Sequence, residues 1–302
     1  MRKFFFKVFI LFVLLVIGTG IIVFLPLPEN SYYLAIVDKH RILAETQSPR
    51  IVLAGGSSLA FGVDSSGIQD RFHIPVVNTA VHAGFGLGRM LDDISRFLYP
   101  EDLLLIIPEY EQFTSTWNGD AAAYDLIFDV RQYRLLWSSY YDLPSSFFYY
   151  LLMYLKTIIS GALNPFVYTR NGFNEYGDYV NHLGMANQPF SPSGNLGAIN
   201  QSYLNNFFRL VDSFTERGIT VMLSYPGFEE QSFLNSAALI QELDALFRAK
   251  ENLHVISSPG SYCYPADYFY DTVYHLNMTG RMAHTSQLIR DLQTSGLLSV
   301  NE

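Results

Sequence analysis

Two short stretches at opposite ends of this 302-residue chain hold the residue types of nucleophilic acyl chemistry. Near the start, Gly55-Gly56-Ser57-Ser58-Leu59-Ala60-Phe61-Gly62 sets two serines among glycines. Near the end, Asp271-Thr272-Val273-Tyr274-His275-Leu276-Asn277 supplies a carboxylate and an imidazole. A serine hydroxyl is a weak nucleophile until a base takes its proton, and the base works best when a carboxylate fixes its tautomer and direction. Glycines beside the serines permit a tight turn and let backbone N–H groups approach a developing oxyanion. The i,i+4 separation of Asp271 and His275 predicts that both lie on one side of a helical turn. Each stretch alone reads equally as a structural turn or a surface loop; the order Ser…Asp…His makes the catalytic reading the leading one. His284 is a poorer base, expected to lie exposed on the helix that follows.

These residues need a frame, and the hydrophobic pattern supplies one. Short apolar runs at Ile51-Val52-Leu53-Ala54, Pro75-Val76-Val77-Asn78, Leu103-Leu104-Leu105-Ile106-Ile107, Ile219-Thr220-Val221-Met222-Leu223 and Leu253-His254-Val255-Ile256 read as buried strands. Helix-like stretches separate them: Leu87 to Leu98, Asn200 to Arg217 and Leu234 to Ala249. Continuous apolar strands alternating with amphipathic helices predict an α/β fold, a three-layer α/β/α sandwich around a mostly parallel five-stranded sheet. Residues 111–197 break the rhythm and read as a helical and loop insertion over or beside the site, with a helix candidate at Phe147 to Ile159. Ligands of parallel sheets bind beyond the carboxyl ends of the strands, where Ser57 and Ser58 fall.

On these residues the chain resembles the SGNH (GDSL-like) hydrolase superfamily. The family's Gly-Asp-Ser-Leu-x-x-Gly block aligns with Gly56-Ser57-Ser58-Leu59-Ala60-Phe61-Gly62, which implies Ser58 as nucleophile with Ser57 in place of the family's aspartate. Asp271 and His275 match its last block, although Asp-x-x-His is lengthened here by one residue. The segment from Asn78 to Gly84 lies where the second block would place an oxyanion-binding amide. The resemblance thus implies roles in oxyanion or substrate binding for Gly84, Ser57, Asn78 and His82. The third block departs: Gly-x-Asn-Asp is replaced by Pro108-Glu109-Tyr110-Glu111, and a carboxylate at Glu109 would repel an oxyanion unless protonated or turned away. Glu109 then binds a sugar hydroxyl or holds the loop, and Asn118 is a substitute donor. Among SGNH proteins the chain is most similar to membrane-tethered, extracytoplasmic ones that move acyl groups on envelope polymers. That implies an acylated glycan or ester as substrate, a polytopic membrane acyltransferase as partner, and no cofactor or metal. An alternative is a catalytically impaired module of the same type that binds glycan or recruits a membrane enzyme.

Residues 1–28 are expected to form a membrane anchor and 29–302 the SGNH-like domain. Val8 to Leu25 is an 18-residue run without charge or proline, near the lower length for a membrane span, and Pro26 and Pro28 end it. Arg2, Lys3 and Lys7 precede the run, which predicts a cytoplasmic N-terminus and an extracytoplasmic main domain. A cleaved signal peptide ending near Gly18-Thr19-Gly20 is the competing reading. A net charge of −9, with no Lys/Arg cluster beyond the first seven residues, removes the usual driving term for nucleic-acid binding. The single cysteine, Cys263, excludes an internal disulfide, and no Cys/His spacing suggests zinc.

Overall fold

The computed structural model of the chain describes residues 1–23, 29–114, 119 and 168–298. In chain order its main elements are α1 (Arg2–Val23), α2 (Ala35–Glu45), β1 (Ile51–Gly55), α3 (Ser57–Gly62), α4 (Ser65–Phe72), β2 (Val76–Asn78), α5 (Leu87–Ser95) and β3 (Leu103–Ile107). After the undescribed interval come α6 (Gln201–Glu216), β4 (Thr220–Leu223), β5 (Phe228–Glu229), α7 (Glu230–Asn235), α8 (Ala237–Arg248), β6 (His254–Val255), β7 (Cys263–Tyr264) and α9 (Met278–Thr294).

The five apolar runs form one sheet of order β2-β1-β3-β4-β6. Every pairing in it is parallel, with Ile51 opposite both Val76 and Leu103, Leu103 opposite Thr220, and Met222 opposite His254. β1 is buried along its whole length, and β3 along all but its first residue, so both faces of the sheet must be covered. On one side α3, α4 and α9 pack together; α5 and α6 pack on each other and reach β1 and β4 respectively. The structure is therefore α/β, a five-stranded parallel sheet flanked by helices. β5 and β7 form a separate two-stranded ladder that hydrophobic periodicity did not anticipate. The chain runs outward from β1 to β2 and then back past β1 to β3, so a crevice opens between the carboxyl ends of β1 and β3.

At the amino end of β1, Arg50 is wholly buried. It donates to the carbonyls of Leu43, Thr46 and Phe97 and pairs with Asp102 at 3.3 Å. This ties α2 and the α5–β3 loop to the base of the sheet.

The described part of the expected insertion is stitched into the sheet edge. Thr169 bridges Ser31, Arg170 pairs with Asp38 at 2.7 Å, and the Tyr179 N–H donates to Ala60 O at 2.8 Å. Asp178 accepts from the Ser65 N–H, Asn78 Nδ2 and Arg281 Nη2, each at 2.9 Å. Lys39 donates to the carbonyls of Asn78 (3.0 Å) and Gly177 (2.5 Å), and burial lowers its pKa to about 7. Asn118 and the helix candidate Phe147 to Ile159 lie outside the described residues.

α1 exposes Phe4, Phe5, Phe6, Phe9, Leu11, Phe12, Leu14, Leu15 and Ile17. Among the described residues no helix is long and apolar enough to cross a membrane. The expected Val8 to Leu25 run loses residues 24 and 25 to the undescribed stretch, and the helix that contains the rest begins at Arg2 and includes Lys3 and Lys7.

Candidate active site

β1 delivers the chain into the crevice and Gly55 and Gly56 let it turn. A Cβ on Gly55 would lie 2.2 Å from Ile107 O on the neighbouring strand; one on Gly56 would lie 2.6 Å from Glu109 Oε1. The backbone oxygen excludes a side chain at Gly55, and one at Gly56 would displace the Glu109 carboxylate and press on Ala83. α3 begins at once, so Ser58 sits in its first turn with only 2% of its surface exposed. Its Oγ makes no hydrogen bond. Leaving a buried hydroxyl unpaired costs about 1–3 kcal/mol, which packing alone does not explain. The backbone N–H of Ser58 donates to Glu109 Oε1 at 2.9 Å, and Ser57 Oγ donates to the same oxygen at 3.3 Å. Glu109 stands just past β3, so it reaches across the crevice and occupies the amide of Ser58.

Asp271 and His275 meet as their spacing requires, but not on a helix. Residues 271–274 form a series of bends. The Tyr270 N–H donates to His275 O at 2.7 Å and the His275 N–H to Thr272 Oγ1 at 3.1 Å, which closes a compact loop. Within it His275 Nδ1 lies 2.8 Å from Asp271 Oδ1. A carboxylate only accepts, so Nδ1 carries the proton and Nε2 is the basic nitrogen. The imidazole stacks on Phe61, centroids 4.0 Å apart and planes at 11°. Phe61 follows Ser58 by three residues on α3, so the ring is held over the same helical face as the serine. The two residues share one edge of the sheet, yet Ser58 Oγ and His275 are not hydrogen-bonded. Tyr168 donates to the other carboxylate oxygen, Asp271 Oδ2.

The middle segment departs from its expected roles. Asn78 is completely buried and its Nδ2 reaches Asp178 Oδ1 at 2.9 Å and Leu59 O at 3.4 Å, while its Oδ1 accepts from Ala80 N at 3.0 Å. Its polar atoms are thus committed to partners within the fold. The N–H of Gly84 donates to His82 Nδ1 at 3.0 Å, so the amide expected to bind an oxyanion is satisfied from within. His284 is buried on α9, not exposed. Its Nε2 meets Tyr225 O at 3.2 Å, and burial lowers its pKa to about 4. The helical period that buries Arg281 and Leu288 carries His284 inward with them.

Several site residues had no signal in the sequence. Tyr274 donates to Glu111 and accepts from the Tyr110 N–H at 3.3 Å, linking the loop after β3 to the Asp–His loop. Burial raises the Glu111 carboxyl from its ordinary 4.5 to about 7, against the Tyr274 hydrogen bond that lowers it. Tyr32, from the connector after α1, has its hydroxyl pushed well up by burial and then by Tyr179, Tyr33, Glu109 and Asp271. The bonds of Tyr274 to Glu111 and Tyr110 bring the loop after β3 and the Asp–His loop together. Of these residues only Phe61, at helical spacing from Ser58, could have been picked out beforehand. Among the described residues no group of three His, Cys, Asp or Glu side chains is placed to hold a metal ion. No family model, curated protein or solved structure matches the chain.

Proposed function

We propose that the chain is an SGNH-like serine esterase or O-acyltransferase acting on acyl groups of a cell-envelope glycan or related polymer. The observation that supports it best is a His275 base whose Nδ1 is fixed by Asp271 and whose ring stacks on Phe61, a residue of the same short helix as the unbonded, buried Ser58 hydroxyl. In this reading Ser58 Oγ attacks the acyl carbonyl and His275 Nε2 takes its proton. The proton then passes to the leaving oxygen, and water or an acceptor hydroxyl resolves the acyl-enzyme. The Ser58 N–H must leave Glu109 to receive the oxyanion, a donor worth about 3–4 kcal/mol in serine hydrolases. The exposed apolar side chains of α1 support a membrane tether with the N-terminus cytoplasmic and residues 29–302 extracytoplasmic, where a polytopic acyltransferase would be the partner.

A second reading, a catalytically impaired module that binds glycan or recruits a membrane enzyme, is favoured by one observation: the amides of Ser58 and Gly84 are both occupied internally. A fluorophosphonate probe on the full chain in membranes or detergent separates the two. Covalent labelling that disappears in S58A supports the enzyme; an unlabelled wild type, or equal labelling of S58A, supports the module.

A further inference from the structure

We propose that Tyr168 is a positioning residue that locks the carboxylate of Asp271 for its work on His275, an inference that rests on the serine-hydrolase reading and deepens it. A carboxylate held through one oxygen can rotate about its own bond and loosen its grip on the imidazole; a second donor on the other oxygen fixes its plane. Asp271 has this arrangement, with Oδ1 on His275 Nδ1 and Oδ2 on the Tyr168 hydroxyl.

The phenol is itself clamped. Its ring lies edge-on to Phe61 (5.4 Å, 88°), Tyr179 (5.7 Å, 87°) and His275 (6.0 Å, 87°), and against Tyr32 at 5.8 Å. The neighbouring residues Thr169 and Arg170 are pinned to the connector after α1 through the Ser31 bridge and the Asp38 ion pair. Tyr168 and Phe61 therefore hold His275 from two sides, Phe61 flat against the ring and Tyr168 at its edge and on its acid. Tyr168 touches no reacting atom, so its effect must pass through Asp271.

Y168F keeps the ring and its contacts and removes only the hydroxyl. In the full chain it is expected to slow fluorophosphonate labelling of Ser58 about tenfold, the loss of one hydrogen bond to a charged group, with the melting temperature unchanged. It is also expected to move the His275 Nδ1 proton resonance, which the bond to Asp271 should place downfield in the wild type. Placed in D271N, Y168F should add no further loss, because its target is gone. Wild-type labelling rates in Y168F, or a full additional loss in the D271N background, would overturn the inference. If the wild type does not label, the enzymatic reading fails. The His275 resonance then decides alone: a shift in Y168F upholds the positioning role, and an unmoved resonance ends it.

Discussion

The two ends of β1 treat buried polar groups in opposite ways. Before the strand, Arg50 is wholly buried and its guanidinium is fully engaged by three carbonyls and Asp102. After it, Ser58 is almost as deeply buried, yet its hydroxyl is left without a partner and its amide is held by a carboxylate from another loop. One end satisfies every donor and so ties helices and strands together. The other leaves a hydroxyl without a partner and an amide on a displaceable carboxylate, at a cost that the saturated end can offset. The difference locates stability at the amino end of the strand and, in the proposed reading, chemistry at the carboxyl end.

The sharpest way to break this contrast is S58A. Labelling by a fluorophosphonate should fall at least about 10⁴-fold, while the denaturant midpoint stays in place or rises slightly, because the hydroxyl has no bond to lose. A large loss of stability in S58A would show that the hydroxyl is structural. At the other end R50M leaves Asp102 buried without its cation, bonded to Ser48 Oγ and the Tyr99 N–H, and should cost about 3–5 kcal/mol of unfolding free energy, read by urea titration. Residual folded R50M should still label at Ser58.

E109Q tests the displaceable amide. It keeps an oxygen acceptor for the Ser58 N–H but removes the charge that makes the bond strong and that opposes an oxyanion. Labelling should accelerate about tenfold; a slower E109Q would mean that Glu109 holds the turn in its working shape. A separate, pH-dependent effect concerns Glu111, whose carboxyl burial raises from 4.5 to about 7 in the folded chain. Between those values the folded state retains a proton that the unfolded state releases, so this group makes stability fall as pH rises from 4.5 to 7 and has no further effect above. E111Q lacks the titration. Its stability relative to the wild type should grow across that window by about 3 kcal/mol, measured by denaturation at fixed pH steps.

Much of the frame was legible because burial on both faces writes itself into sequence as uninterrupted apolar runs: Ile51 to Ala54 and Leu103 to Ile107 are the two central paired strands. The β5–β7 ladder was not, since each strand is two residues long and no period can be read from so few. His284 was misplaced because a lone histidine on a helix carries no mark of the face it takes; the packing of α9 decides it.

At the site, residue type and chain order pointed to the serine pair Ser57-Ser58 with Asp271 and His275, the family resemblance chose Ser58 of the two, and the i,i+4 spacing was short enough for Asp271 and His275 to meet whether or not a helix formed. Tertiary structure decided everything that depends on distant segments approaching: Glu109 on the Ser58 amide, Phe61 beneath His275 and Tyr168 on Asp271. The physical reason is range. Local spacing determines which neighbours along the chain can touch, whereas hydrogen bonds across a crevice follow from the order in which parallel strands assemble, and that order is recorded in no short stretch of residues.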